Sequence, residues 1–140
     1  MRHKTLYILL LFICKTLLIS CTLETSGNGD FDGAWRLISI NDTLPTQKNL
    51  FWNVQGKLLE MADKDKIQQT YFMHFERKDN QLTLKSPHYI EGLTDVPLDD
   101  LSLLTVYGVD NIAEPFEIEK LDGSRMILKS STKRLEFRQF

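Results

Sequence analysis

From Gly33 to the C-terminus, apolar and polar residues alternate with a period close to two. Over 70–77, Tyr71, Met73 and Phe75 fall on one side and His74 and Glu76 on the other, the pattern of a half-buried strand. Lys78-Asp79-Asn80 makes a turn, and 81–85 returns with Leu82 and Leu84 inward, so the pair predicts a hairpin. Upstream, 35–40 forms a first strand. Residues 51–54 and 57–61 form a second stretch, bent at Gly56. Downstream, 116–121 places Phe116 and Ile118 against Glu117 and Glu119. Asp122-Gly123 is predicted to supply the positive backbone angles of a tight turn. Residues 125–129 return with Met126 and Leu128 inward. Ser130, Ser131 and Thr132 turn the chain again, and Leu135 and Phe137 continue the inward face to Phe140. The result is a three-strand antiparallel meander. One segment departs from the rule. Leu98, Leu101 and Leu104 recur at helical spacing between Pro97 and Gly108, which predicts a short helix.

Length changes this picture little: 140 residues make one domain. Hydrophobic residues at 42 % and charged residues at 26 % suit a globular chain and argue against disorder. A net charge of −2 leaves no basic excess to neutralise phosphates, so no nucleic-acid partner is expected. Two cysteines exclude a disulfide-dense scaffold and a four-cysteine zinc site.

The N-terminus reads as an address. Arg2, His3 and Lys4 precede an apolar run from Thr5 to Cys14, which Leu17, Leu18 and Ile19 continue across Lys15. Leu18-Ile19-Ser20-Cys21 looks like a bacterial lipobox. The small Ser20 gives a peptidase access, and the Cys21 thiol is free to take a thioether-linked diacylglycerol. Cys14 follows the bulky Ile13 and fits poorly. The alternative is an uncleaved membrane helix, but 5–20 is sixteen residues, short of the roughly 20 needed to span a bilayer. Residues 1–20 are therefore expected to be a lipoprotein signal peptide, with lipidated Cys21 as the membrane partner. Residues 21–32 are expected to be a flexible tether, and 33–140 the folded domain. Two or more acyl chains anchor a protein stably. Loss of Arg2, Lys4 and Lys15 leaves 14 basic against 19 acidic residues, a net −5. Asp30-Phe31-Asp32-Gly33 lacks the further ligands of a calcium loop.

Many antiparallel strands and one short helix suggest a small closed barrel. Gly33-Ala34-Trp35 at the start of the first strand resembles the Gly-x-Trp motif of lipocalins. The ending Arg134-Leu135-Glu136-Phe137-Arg138-Gln139-Phe140, with 116–130 before it, is similar to the lipocalin-like lipoproteins common in Bacteroidetes. The resemblance implies an all-β, antiparallel, calycin-type barrel with one short helix. It also implies that Trp35 closes one barrel end against a basic residue, Arg138 or Arg134. The helix stands before the last three strands, earlier than in a full lipocalin. Only Glu24 is acidic just after Cys21, and the resemblance then implies the periplasmic face of the outer membrane rather than the cell exterior. Asp42-Thr43-Leu44 resembles a sequence that Bacteroidetes O-glycosylate, with Thr43 as the acceptor.

Candidate chemistry is sparse. Beyond the leader the histidines are His74 and His88, expected on a polar strand face and in a loop. Two histidines without cysteine make a poor zinc site. Gly-x-Ser-x-Gly, a P-loop and a dinucleotide fingerprint are missing from the sequence. No catalytic residue, metal or cofactor is expected. The aromatics are the better lead. Trp52, Tyr71, Met73, Phe75, Tyr89 and Tyr107 either line an apolar cavity for a small hydrophobic or amphipathic ligand or fill the core, since a barrel of this size does either. The second case would leave a protein-interaction module that uses edge strands or the 98–108 helix.

Overall fold

A computed structural model describes residues 27–140. The predicted signal peptide, Cys21 and the first part of the tether lie outside the described residues. Among the described residues no helix is long and apolar enough to cross a membrane.

The alternation becomes a barrel. Its strands are β1 (Gly33–Ile40), β2 (Leu50–Gln55), β3 (Leu58–Asp63), β4 (Tyr71–Lys78), β5 (Gln81–Glu91), β6 (Thr94–Pro97), β7 (Phe116–Leu121), β8 (Arg125–Lys129) and β9 (Arg134–Gln139). Every pairing is antiparallel. β4 pairs with β5, β5 with β7, and β9 with β1, so eight strands close on themselves. β6 stays outside the ring, paired only with the distal half of β5. The C-terminal meander β7–β8–β9 forms as the alternation predicts.

Four local readings change. Gly56 does not bend one strand. Gln55 pairs with Leu58, so Gly56 and Lys57 form a two-residue hairpin turn, with Gly56 at φ 62°. β5 runs on past Lys85 to Glu91 through Ser86, which sits at φ 52°. The helix is a 3-10 helix over Leu101–Tyr107, started by Asp100, whose carboxylate accepts from the Ser102 N–H, and ended by Gly108 at φ 93°. Asp122-Gly123 does not use positive backbone angles; neither residue has φ above zero. The Asp122 carboxylate instead accepts from the Ser124 N–H (2.8 Å), the Ser124 hydroxyl (2.9 Å) and the Arg125 N–H (2.8 Å). That side-chain turn needs no left-handed residue.

Both barrel ends are closed from within the chain. At one end a 3-10 turn, Gly29–Phe31, inserts Phe31 edge-on against Phe75 at 5.1 Å, and the Phe31 carbonyl accepts from Trp35 Nε1 at 2.8 Å. At the other end the 3-10 helix buries Leu104 and Tyr107 completely. Between them lie Trp35, Trp52, Met61, Met73, Leu82, Met126, Leu128 and Phe137, all without solvent exposure. Eight strands leave a bore just wide enough for side chains to fill. Each fully buried large apolar side chain contributes about 1.5–3 kcal/mol, so this filling is what holds the ring together.

Candidate functional site: a cleft beside the barrel mouth

The six residues expected to line a cavity divide in two. Trp52, Met73 and Tyr107 are core. They have no exposure, Trp52 packs 4.9 Å from Phe137, and its Nε1 donates to the Tyr107 carbonyl at 3.1 Å. Their size filled the bore rather than lining it. Phe75 closes the far end against Phe31. It also edges a depression at that end, whereas Tyr71 and Tyr89 face one shared open space at the other.

That space is a cleft of about 460 Å³ between the start of β4, the β5–β6 hairpin and the 3-10 helix. Tyr71, Tyr89, Val96, Leu98 and Leu103 form its apolar wall, and Gln69, Asp99 and Asp100 its polar rim. A bulge places Tyr89. In the first half of β5 the even residues Leu82 and Leu84 are buried; beyond Ser86 the buried residue is Pro87 and Tyr89 shares its face. The register confirms the slip, with His74 opposite Lys85 but Phe72 opposite His88. Without that extra residue Tyr89 would point to the outer surface.

Tyr71 is 5 % exposed and stands edge-on to Tyr107 at 6.3 Å. Its ionisation is pushed up by burial first, then by the Asp100 carboxylate and by Tyr89. The phenol therefore stays neutral at ordinary pH and offers both a donor and an acceptor. Two larger depressions, about 770 and 610 Å³, are walled mainly by charged and turn residues, among them Lys78, Asp79 and Glu117, and Lys57, Glu76 and Arg77.

The bulge has a second effect. His88 is not in a loop; it lies in β5 on the outer face, its ring stacked 6.0 Å from His74 and 6.0 Å from Phe72. Its Nδ1 lies 2.8 Å from the Ser86 carbonyl. No group of three metal-ligating side chains exists among the described residues. Fourteen residues separate the two histidines in the chain, and strand pairing, which spacing does not reveal, brings them together.

The expected pairing of Trp35 with Arg138 or Arg134 does not form. Arg138 lies opposite Arg36 and so shares the outer face, whereas the Trp35 indole fills the bore. Arg134 is at the opposite end of β9, where it engages Glu136 at 2.6 Å and Glu119 at 3.6 Å. Cation–aromatic contacts occur elsewhere: Lys64 lies 3.8 Å from the Phe51 ring centroid and Arg36 5.8 Å from that of Phe140. Thr43 is exposed just after a two-residue turn, its N–H and carbonyl both bonded to Ile40, and its hydroxyl is accessible.

The closed antiparallel barrel matches a known architecture. The family model for the lipocalin-like domain matches residues 16–140. The chain belongs to that family. Its structure is similar to a lipocalin-like protein from Bacteroides uniformis, with a TM-score of 0.58 and 21 % identity over 80 % of this chain and 100 % of that one. An uncharacterized protein from Bacteroides eggerthii is similar with a TM-score of 0.54 and 14 % identity, over 79 % and 99 % of the two chains. Identities this low speak for the fold alone. No curated protein matches this chain.

Proposed function

We propose that this lipocalin-like protein is a membrane-anchored binding protein that takes a small amphipathic molecule in the cleft beside the barrel mouth. The observation that carries the reading is the meeting of Tyr71 and Tyr89 with Leu98 and Leu103 around about 460 Å³. Small-molecule sites are concave, mostly apolar, and span roughly 300–1,000 Å³, with few placed polar groups. The packed bore supports the same location, because Trp52, Met73 and Tyr107 leave no room beside them. The anchor is lipid on Cys21, and the address is the periplasmic face of the outer membrane. Thr43, exposed in its turn, is the proposed O-glycosylation acceptor. The chain works by binding, not by catalysis, as lipocalin-like barrels do.

The experiment is native mass spectrometry of gently purified protein, compared with a Leu103→Asp, Tyr89→Ala variant. A co-purifying small molecule lost in the variant supports the cleft. An identical ligand load in both, or none in either, removes it.

A second reading draws support from the same end of the molecule. β6 is a free sheet edge, and Ile90, Leu93 and Leu103 are exposed beside it. Pro97 and the short length of β6 blunt that edge. An envelope partner would dock there. In-cell crosslinking from Leu93, abolished by mutating Leu101 and Leu103, would establish it.

A further inference from the structure

We propose that the cleft selects amphiphiles bearing a cationic amine. The inference rests on the binding reading above and names the ligand class. No lysine, arginine or histidine lines the cleft, while Asp99 and Asp100 stand at its rim. Neither carboxylate takes part in an ion pair among the described residues. An acidic rim alone would say little, since surface carboxylates are common. The second observation is Tyr71. The residue is more than nine-tenths buried, yet its hydroxyl makes no hydrogen bond, unlike that of Tyr107, which donates to the Gln69 carbonyl at 2.7 Å. No fully buried side-chain polar atom among the described residues lacks a partner, so the Tyr71 hydroxyl is not sealed; it opens into the cleft its residue lines.

A hydroxyl that opens into the cleft and is engaged by no protein group is free to bond a ligand placed there. An ammonium head satisfies the whole set. Its N–H donates to the Tyr71 oxygen, its charge faces Asp99 and Asp100, and the half-buried Tyr89 ring supplies an aromatic neighbour for the cation. Val96, Leu98 and Leu103 are left to cover the alkyl part. A carboxylate or sulfate head would meet the same two aspartates with like charge and with no cation to offset it.

The test uses chain-matched probes on the full chain held in nanodiscs: hexylammonium, hexanol and hexanoate, with empty nanodiscs as reference. Binding is read by calorimetry and by saturation-transfer NMR. Hexylammonium should bind at least about tenfold tighter than hexanol, with hexanoate weakest. Tyr71→Phe and Asp99→Asn should each weaken hexylammonium more than hexanol and so narrow the ammonium-to-alcohol ratio. Asp100 is unsuitable because it caps the 3-10 helix. Equal binding of ammonium and alcohol, or tightest binding of hexanoate, overturns the cationic preference and leaves the cleft standing. Binding by none of the three overturns the cleft itself. The ratio on the unmodified chain decides the matter even if a variant misfolds.

Discussion

Trp52 on β2 donates its indole N–H to the main-chain carbonyl of Tyr107, 55 residues later, across 3.1 Å of fully buried space. This bond fixes the 3-10 helix across the barrel end. The Tyr107 hydroxyl then runs on to the Gln69 carbonyl in the β3–β4 loop. Burial, with Asp63 and Tyr71 adding to it, pushes the Tyr107 phenol far up, so it remains a donor at any ordinary pH. One strand, one helix and one loop are thus held by two hydrogen bonds on a single tyrosine. The barrel mouth is closed by the chain's own helix.

Tyr107→Phe should therefore destabilise the fold by about 1–2 kcal/mol, the cost of leaving a partly buried carbonyl without its donor. Trp52→Phe should cost more, since it strands the Tyr107 carbonyl and also removes ring volume from a packed core. Urea midpoints with unchanged m-values are the measurement. Amides of Leu104 and Tyr107 should exchange faster in both variants, ahead of those in the meander.

Gly108 ends the same helix at φ 93°, and a Cβ there would stand 2.6 Å from one methyl of Leu135. Gly108→Ala combines a left-handed backbone with a clash against a fully buried side chain. About 2–4 kcal/mol of stability should be lost. Adding Leu135→Ala should recover part of the clash and none of the backbone strain. A double-mutant cycle separates the two. If Gly108→Ala is neutral, the helix does not end in this geometry.

The meander with the inward face of β9, the β4–β5 hairpin and the presence of β1 were legible because alternation is a local property. Leu82, Leu84, Ile118, Met126 and Leu135 are buried where period two puts them. What alternation could not show was the change of phase at Ser86. Ser86-Pro87 looks like a strand's end, yet the chain slips one residue and continues, and β6 then pairs onto a strand whose second half was not visible. The site depends on that slip through Tyr89, and so does the meeting of His74 with His88. Tyr71 and Tyr89 were identifiable as aromatic candidates. Separating them from Trp52 and Tyr107 required knowing where the helix goes, which only packing decides.

A filled lumen also makes a spectroscopic prediction. Both tryptophans, Trp35 and Trp52, have no solvent exposure. Their emission should resist acrylamide quenching in the native protein and become accessible only with unfolding. A cleft ligand contacts neither, so saturating it should leave tryptophan emission nearly unchanged while tyrosine signals shift. A strong tryptophan response to ligand would mean that the barrel opens and admits it.

The β7–β8 turn carries a pH signature. Asp122 accepts from the Ser124 and Arg125 N–H groups and from the Ser124 hydroxyl. These bonds, the Ser124 backbone first, hold its ionisation down at about 2, against 3.8 for a free aspartate. A folded pKa below the unfolded one means the carboxylate contributes stability that is complete above about pH 4. The contribution is lost as pH falls through 3.8 toward 2. The stability difference between wild type and Asp122→Ala should therefore be constant near neutral pH and shrink below about pH 4. Asp122→Asn keeps an acceptor oxygen but no titrating charge, so it should lie between the two and lack the acid-range slope. The amides of Ser124 and Arg125, followed by hydrogen exchange across this range, report the same turn directly. An acid profile for Asp122→Ala that parallels wild type would mean that the hairpin closes without its carboxylate.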